Sequence, residues 1–426
     1  MHLRHYAMMQ TQMGLGDKAV TVYGRGRQQV QECFEIIQTA LGLSAAEFSD
    51  APYCSTVINT NSPRMLDKPM AQALIDFARA GQMCIVTPFC LAGAMAPITI
   101  AGALTLQHAE ALAAITLNQL AKPGAPVMYG GFGSNVDMKS GAPSFGTPEH
   151  IQMSIGSGQL ARHIGLPWRS AAGAAANTND MQATHETVMS LWGCLQANAT
   201  MVIHAAGWLE GGLTFGFEKF IQDIEALQAI AHLCKPVAAD AAAIGLDAIE
   251  QVAPGGHFFE TDQTLNNYST AFLEPINADL SNFGTWQKNG ALTAEARATA
   301  KWQAILHDFT APAGCSGAGW PRGGNDRAVY PSRRGTDSRV SPCTSSCKGL
   351  SQTAAGSALL ESGQIPVAIR NPRELALIEP WFFYLAPTCT YRSSGIQYQH
   401  GCSGGPATSC FRMHRLFDPQ SAPSSV

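Results

Sequence analysis

The chain has 426 residues, of which 46% are hydrophobic and only 14% charged, and its net charge is −4. So low a charged fraction calls for much buried surface, as in one large α/β domain or two ordinary ones. The weakly acidic balance excludes an electrostatic nucleic-acid partner. No apolar run reaches the roughly 18 residues of a bilayer span, and the start MHLRHYAMMQ lacks a signal-peptide core, so a cytoplasmic protein without membrane contact is expected.

Up to about residue 310, short apolar runs alternate with longer segments of helical spacing. The predicted strands are AVTVYG (19–24), STVINT (55–60), CIVTP (84–88), PVMYG (126–130), PWRSA (167–171), MVIHA (201–205), PVAAD (236–240) and GHFFE (256–260). Helices are predicted between most of them. Residues 101–121 place Leu104, Ala111, Leu112 and Ile115 on one face. Thr147-Pro148-Glu149 starts a helix with a capping hydroxyl, a proline and an acid near the positive dipole end. Asp180 caps the next helix in the same way, and residues 216–233 form another. Recurring strand-then-helix units over roughly 250 residues predict an α/β fold of the (β/α)8, TIM-type barrel class. The alternative is an open, doubly wound sheet. No GxGxxG follows the first strands, and GGFGSN (130–135) does not open directly into a helix.

Past residue 311 both periodicities fail. The predicted organisation is a barrel over 1–311 and a low-order tail over 312–426, rich in Gly, Ser, Pro, Arg and Cys. That tail reads either as a shifted reading frame or as a disordered extension. Of the 12 cysteines, Cys33, Cys54, Cys84, Cys90, Cys194 and Cys234 sit in apolar contexts as reduced, buried thiols. Cys343 and Cys347, in the tail, are not read as a zinc pair.

The run HAAGWLEGG (204–212) sets His204, Trp208 and Glu210 among glycines after a predicted strand, where barrel loops build the active face. Tyr129 ends another strand, Asn135 and Asp137 lie in the long loop after it, Arg169 ends a third, and His257 follows Gly255-Gly256. Each has a plain alternative: Asp137 can shape an Asx turn, and Glu210 can pair with Lys219. No histidine set suggests a metal site, and there is no GxSxG.

Five stretches carry a resemblance: TPFCLAGAMAPITIAGAL (87–104), PGAPVMYGGFGSNVDMKSGAPSFGTPEH (123–150), GQLARHIGLPWRS (158–170), HAAGWLEGGLTFGFEKFI (204–221) and APGGHFFETDQTL (253–265). Together they resemble the trimethylamine methyltransferase family of corrinoid-protein-dependent methyltransferases, collinearly over about residues 1–310. The resemblance implies a (β/α)8 barrel and transfer of a methyl group from a small methylated amine to Co(I) of a cognate corrinoid protein. The corrinoid (cobalamin) is then presented by that partner, since this chain has no DxHxxG-type motif of its own. The chain starts late relative to the family, and its last stretch departs from the helical end expected there. Every letter is a standard amino acid, which resembles the branch without pyrrolysine, associated with quaternary amines such as glycine betaine.

A quaternary donor releases a neutral amine, so the site must orient the methyl group and hold a cation in a dry pocket of aromatic faces and carboxylates. On that implication His204 and Glu210 are the catalytic candidates. Tyr129, Asn135, Asp137, Arg169, Trp208 and His257 are the substrate-binding candidates. Arg169, His204 or His257 would receive a carboxylate on the donor. Alternatives are a barrel that binds amine or docks a corrinoid protein without turnover, and a truncated, inactive homologue. The sequence leaves open which amine is used, which corrinoid protein is the partner, and whether the chain forms a homo-oligomer.

Overall fold

The computed structural model describes residues 3–311; the predicted tail over 312–426 lies outside the described residues. In chain order the first elements are α1 (Arg4–Leu15), β1 (Val20–Thr21), α2 (Gly26–Leu41), α3 (Ala45–Asp50), β2 (Cys54–Ile58), α4 (Lys68–Arg79), β3 (Met83–Val86), β4 (Leu91–Ala92) and α5 (Ile100–Ala121). Then come β5 (Val127–Gly130), β6 (Ser134–Val136), β7 (Pro143–Ser144), α6 (Pro148–His163), β8 (Trp168–Ala171), α7 (Met181–Gln196), β9 (Met201–Ile203), β10 (Trp208–Leu209), β11 (Thr214–Phe215) and α8 (Phe217–Leu233). Four short helices, α9 (Ala241–Ile244), α10 (Leu246–Gln251), α11 (Asp262–Asn267) and α12 (Phe283–Lys288), precede α13 (Ala294–His307).

The main sheet has six strands in the order β1-β2-β3-β5-β8-β9, and every neighbouring pair is parallel. Spatial order follows chain order without reversal, whereas a doubly wound sheet reverses at a switch point. The doubly wound alternative is thereby excluded, while among the described residues β1 and β9 remain the edges of a six-stranded sheet rather than neighbours in a closed ring of eight. Residues alternate between faces with period two. Cys54, Cys84, Val86, Tyr129, Trp168 and Val202 join the large core formed with the helices. The out-of-phase residues Ile85, Met128, Met201 and Ile203 form a separate cluster, with Val57 and Met83 against it. Helices thus cover one face, and the other turns inward.

Local chemistry fixes the helix starts as the sequence indicates. Thr147 accepts from the His150 N–H ahead of α6, and Asp180 accepts from the Gln182 and Ala183 N–H groups ahead of α7. Asp67 and Thr99 do the same for α4 and α5.

The structure corrects two expectations. First, residues 236–240 and 256–260 are not strands. PVAAD has one β-branched residue, Val237, and it is 92% exposed, while Asp240 caps α9 instead. GHFFE is a turn region in which Phe259 is 78% exposed. Neither run alternates a buried with a solvated face, which a paired strand requires. Second, α5 is by length and composition apolar enough to cross a membrane. It nevertheless turns Gln107, Glu110 and Asn118 into the buried interior and packs between α4 and α6, as a covering helix of the sheet does.

Candidate functional site

Register brings Gly130, Arg169 and Met201 side by side on the inward face. Tyr129 and Trp168 are one residue out of phase and go to the helix side. Tyr129 is therefore not a mouth residue, as the sequence reading had it. It is fully buried, and its hydroxyl meets His108 Nδ1 at 3.2 Å.

Arg169 is 2% exposed. Its Nη1 donates to the Gly131 carbonyl at 3.3 Å and its Nη2 to Nε2 of His204 at 3.2 Å. The guanidinium carbon lies 5.8 Å from the Phe132 ring centre, within cation–π range. Its Nε is buried and makes no hydrogen bond, and no carboxylate among the described residues pairs with the guanidinium. Burial pulls its pKa down to about 10. An arginine has no acceptor, so His204 must accept through Nε2 and carry its proton on Nδ1. Burial, with the Arg169 charge adding to it, holds His204 well below the ordinary histidine range. The His204 backbone has φ +63°, which turns the chain sharply out of β9.

Around this pair stand aromatic rings from several strand ends. Phe132, just after β5, stacks on Phe145 at 4.7 Å with 8° between planes. Trp208 meets Phe132 edge-on at 5.8 Å and His204 at 3.9 Å. Phe89, after β3, lies 5.2 Å from Phe132. Gly212 is needed beneath Trp208: its φ is +96°, and a Cβ there would run into the indole.

Arg169, His204 and Trp208 are therefore brought together, and the other predicted residues are not. Glu210 lies in a short 3-10 turn with an exposed side chain that makes no hydrogen bond or ion pair among the described residues. It does not pair with Lys219, which is buried against Asp223. Asn135 accepts from the Thr147 hydroxyl at 2.9 Å. Asp137 is exposed and accepts from the Ser140 N–H and hydroxyl in an Asx-type turn, which lowers its pKa. His257 sits in an exposed turn 5.6 Å from Phe259, outside the aromatic group.

Sequence reasoning missed Phe89, Phe145 and the carboxylates that anchor the mouth loops. Glu110 on α5 accepts from the Thr60 and Ser62 hydroxyls and the Arg64 N–H, each at 2.6 Å. Glu186 on α7 accepts from the Ala175 and Ala176 N–H groups. Asp223 on α8 accepts from the Gly207 N–H at 2.9 Å. His150, in the first turn of α6, is buried against Phe145 and accepts the Gly146 N–H. The flanking SFGTPEH could have flagged Phe145, because it precedes a helix cap at a strand-end loop. The carboxylate anchors leave no local signal.

Parallel strands in sequential order, helices on one face and a polar-aromatic group after the strand ends define a singly wound α/β scaffold with its candidate site where such scaffolds carry theirs. The model of the trimethylamine methyltransferase (MTTB) family matches residues 1–314, and the chain belongs to that family. It is 35% identical over 312 residues to a glycine betaine methyltransferase of Desulfitobacterium hafniense, covering 73% of this chain and 65% of that protein. It is 30% identical over 281 residues to a trimethylamine methyltransferase of Methanosarcina mazei, covering 65% of this chain and 56% of that protein. A trimethylamine methyltransferase of Desulfitobacterium hafniense gives 30% over 280 residues, with coverage of 65% and 56%. The chain thus spans less than two thirds of the length of these relatives.

Proposed function

We propose that this chain takes a methyl group from a carboxylated quaternary amine of the glycine betaine kind and gives it to the cobalt of a partner corrinoid protein. We read its six-stranded sheet as the major part of a (β/α)8 barrel. One observation carries the substrate class: the buried Arg169 guanidinium has an unused Nε donor and no carboxylate beside it among the described residues. An unpaired buried charge costs several kcal/mol, on the order of the penalty for losing an ion-pair partner. A ligand carboxylate offsets that cost with charge-assisted hydrogen bonds. Trimethylamine has no such group.

The trimethylammonium end then lies toward Phe132, Phe145 and Trp208, whose faces attract an onium. Exposed Glu210 adds negative charge on the approach. Neutral His204 orients Arg169 without placing a second cation beside the onium. In the transfer, the C–N bond breaks with its electron pair left on nitrogen, so a neutral tertiary amine departs. The pair for the new bond comes from the reduced cobalt of the co-substrate. No proton is needed at the leaving group. The test is incubation of the full chain with glycine betaine and a reduced corrinoid protein. A methyl-cobalt spectrum supports the reading, and its absence across a panel of corrinoid proteins, with trimethylamine equally inert, contradicts it.

A further inference from the structure

We infer that Asp223, held by Lys219, is a positioning residue that sets the turn at Gly207 and through it the placement of Trp208 beside His204. Both side chains are buried on α8, one helical turn apart. The Lys219 ammonium donates to the Thr187 hydroxyl at 2.8 Å and to Oδ1 of Asp223. That leaves Oδ2 of Asp223 to accept the Gly207 N–H at 2.9 Å. The Gly207 carbonyl in turn accepts from the Gly216 N–H at 3.0 Å. The Gly207 peptide is therefore clamped on both sides.

The clamp sits in a constrained stretch of the chain. Gly207 has φ +77°, and a Cβ there would collide with the Phe215 ring. Phe215 pairs in register with Trp208 across β10 and β11. Three residues upstream, His204 is itself in the left-handed region. A buried ion pair adds little net stability over apolar residues of similar volume. What this pair supplies is a buried acceptor aimed at one amide.

The inference deepens the site reading and rests on it only for the ligand measurement; hydrogen exchange tests it without a ligand. The variants are the apolar pair Lys219→Met with Asp223→Leu, and Glu186→Gln as a control on the neighbouring loop. The apolar pair should still fold cooperatively, with melting lowered modestly because the buried Gly207 N–H loses its acceptor. Amide exchange in residues 204–213 should quicken about tenfold or more, as loss of a charged acceptor implies, with residues 172–177 unchanged. Glu186→Gln should show the converse. Glycine betaine, if it binds the parent chain, should bind the apolar pair about tenfold more weakly. Unchanged protection at 204–213, or a loss shared evenly by both loops, overturns the inference. Failure of the apolar pair to fold also overturns it, since the pair would then be a determinant of the fold. Failure of glycine betaine to bind the parent chain counts against the substrate reading alone.

Discussion

Arg169 donates to Nε2 of His204 across 3.2 Å, and that contact fixes both the tautomer and the charge of the ring. A cation cannot donate to a protonated imidazole nitrogen. His204 is thus neutral with its proton on Nδ1. In 15N-detected NMR the ring should show that tautomer and should not titrate near 6.5, the ordinary histidine value. In Arg169→Ala, loss of the neighbouring charge should let the titration rise part of the way, with burial still holding it down. A ring that titrates normally in the parent chain would contradict the pairing.

Three buried groups set an acid-side slope of stability. Burial lowers His150 to about 4 and holds His204 well below its usual value. For both, the folded state binds fewer protons, so their stabilisation is present above 6.5 and is lost as pH falls below it. Burial raises Asp223 to about 6, with Lys219 opposing. Its contribution has the other sign, present below the ordinary 3.8 and lost as pH rises through about 6. The buried histidines outweigh the aspartate, so the net slope between about pH 4 and about pH 6 is positive. Denaturant melts should show stability rising with pH across that window. In the apolar Lys219/Asp223 pair the opposing group is gone and the slope should steepen.

The Glu110 carboxylate is the anchor of the loop after β2. Glu110→Ala strands the Thr60 and Ser62 hydroxyls and the Arg64 N–H. The expected loss is about 1–3 kcal/mol for the buried Thr60 hydroxyl, less for the part-exposed groups. Urea denaturation measures it, and a change below 0.5 kcal/mol, roughly the scale of an ordinary surface substitution, would contradict the anchoring.

Much of the scaffold is legible in the sequence, for reasons that also mark where legibility stops. The strands up to MVIHA, PWRSA excepted, are apolar with β-branched residues, and caps such as Thr147 and Asp180 mark the helices that follow, so local pattern and local chemistry agree. PVAAD and GHFFE imitate strands in composition, but neither has a partner face to bury, and a short run cannot reveal that. Tyr129 and Arg169 show a finer limit. Both lie in predicted strand runs that pair side by side, yet a single step of the pleat sends one to the helices and the other to the inner face. The anchors are invisible for another reason: Glu110 meets Thr60 across 50 residues of sequence, and only the fold closes that distance.

Gly212→Ala probes the aromatic group from beneath. With φ +96° and the indole against its Cα, the substitution should cost about 1–3 kcal/mol and shift the near-UV dichroism of Trp208. An unchanged aromatic spectrum would show that the indole does not rest there.

The central claim, that Arg169 reads a carboxylate on a quaternary amine, is tested most directly by calorimetric titration of the parent chain and of Arg169→Ala with glycine betaine and with tetramethylammonium. The account expects the parent to favour glycine betaine, and the variant to lose that preference by about tenfold or more while its weak affinity for tetramethylammonium stays. Equal binding of the two ligands by the parent chain, or a preference untouched by the substitution, would contradict it.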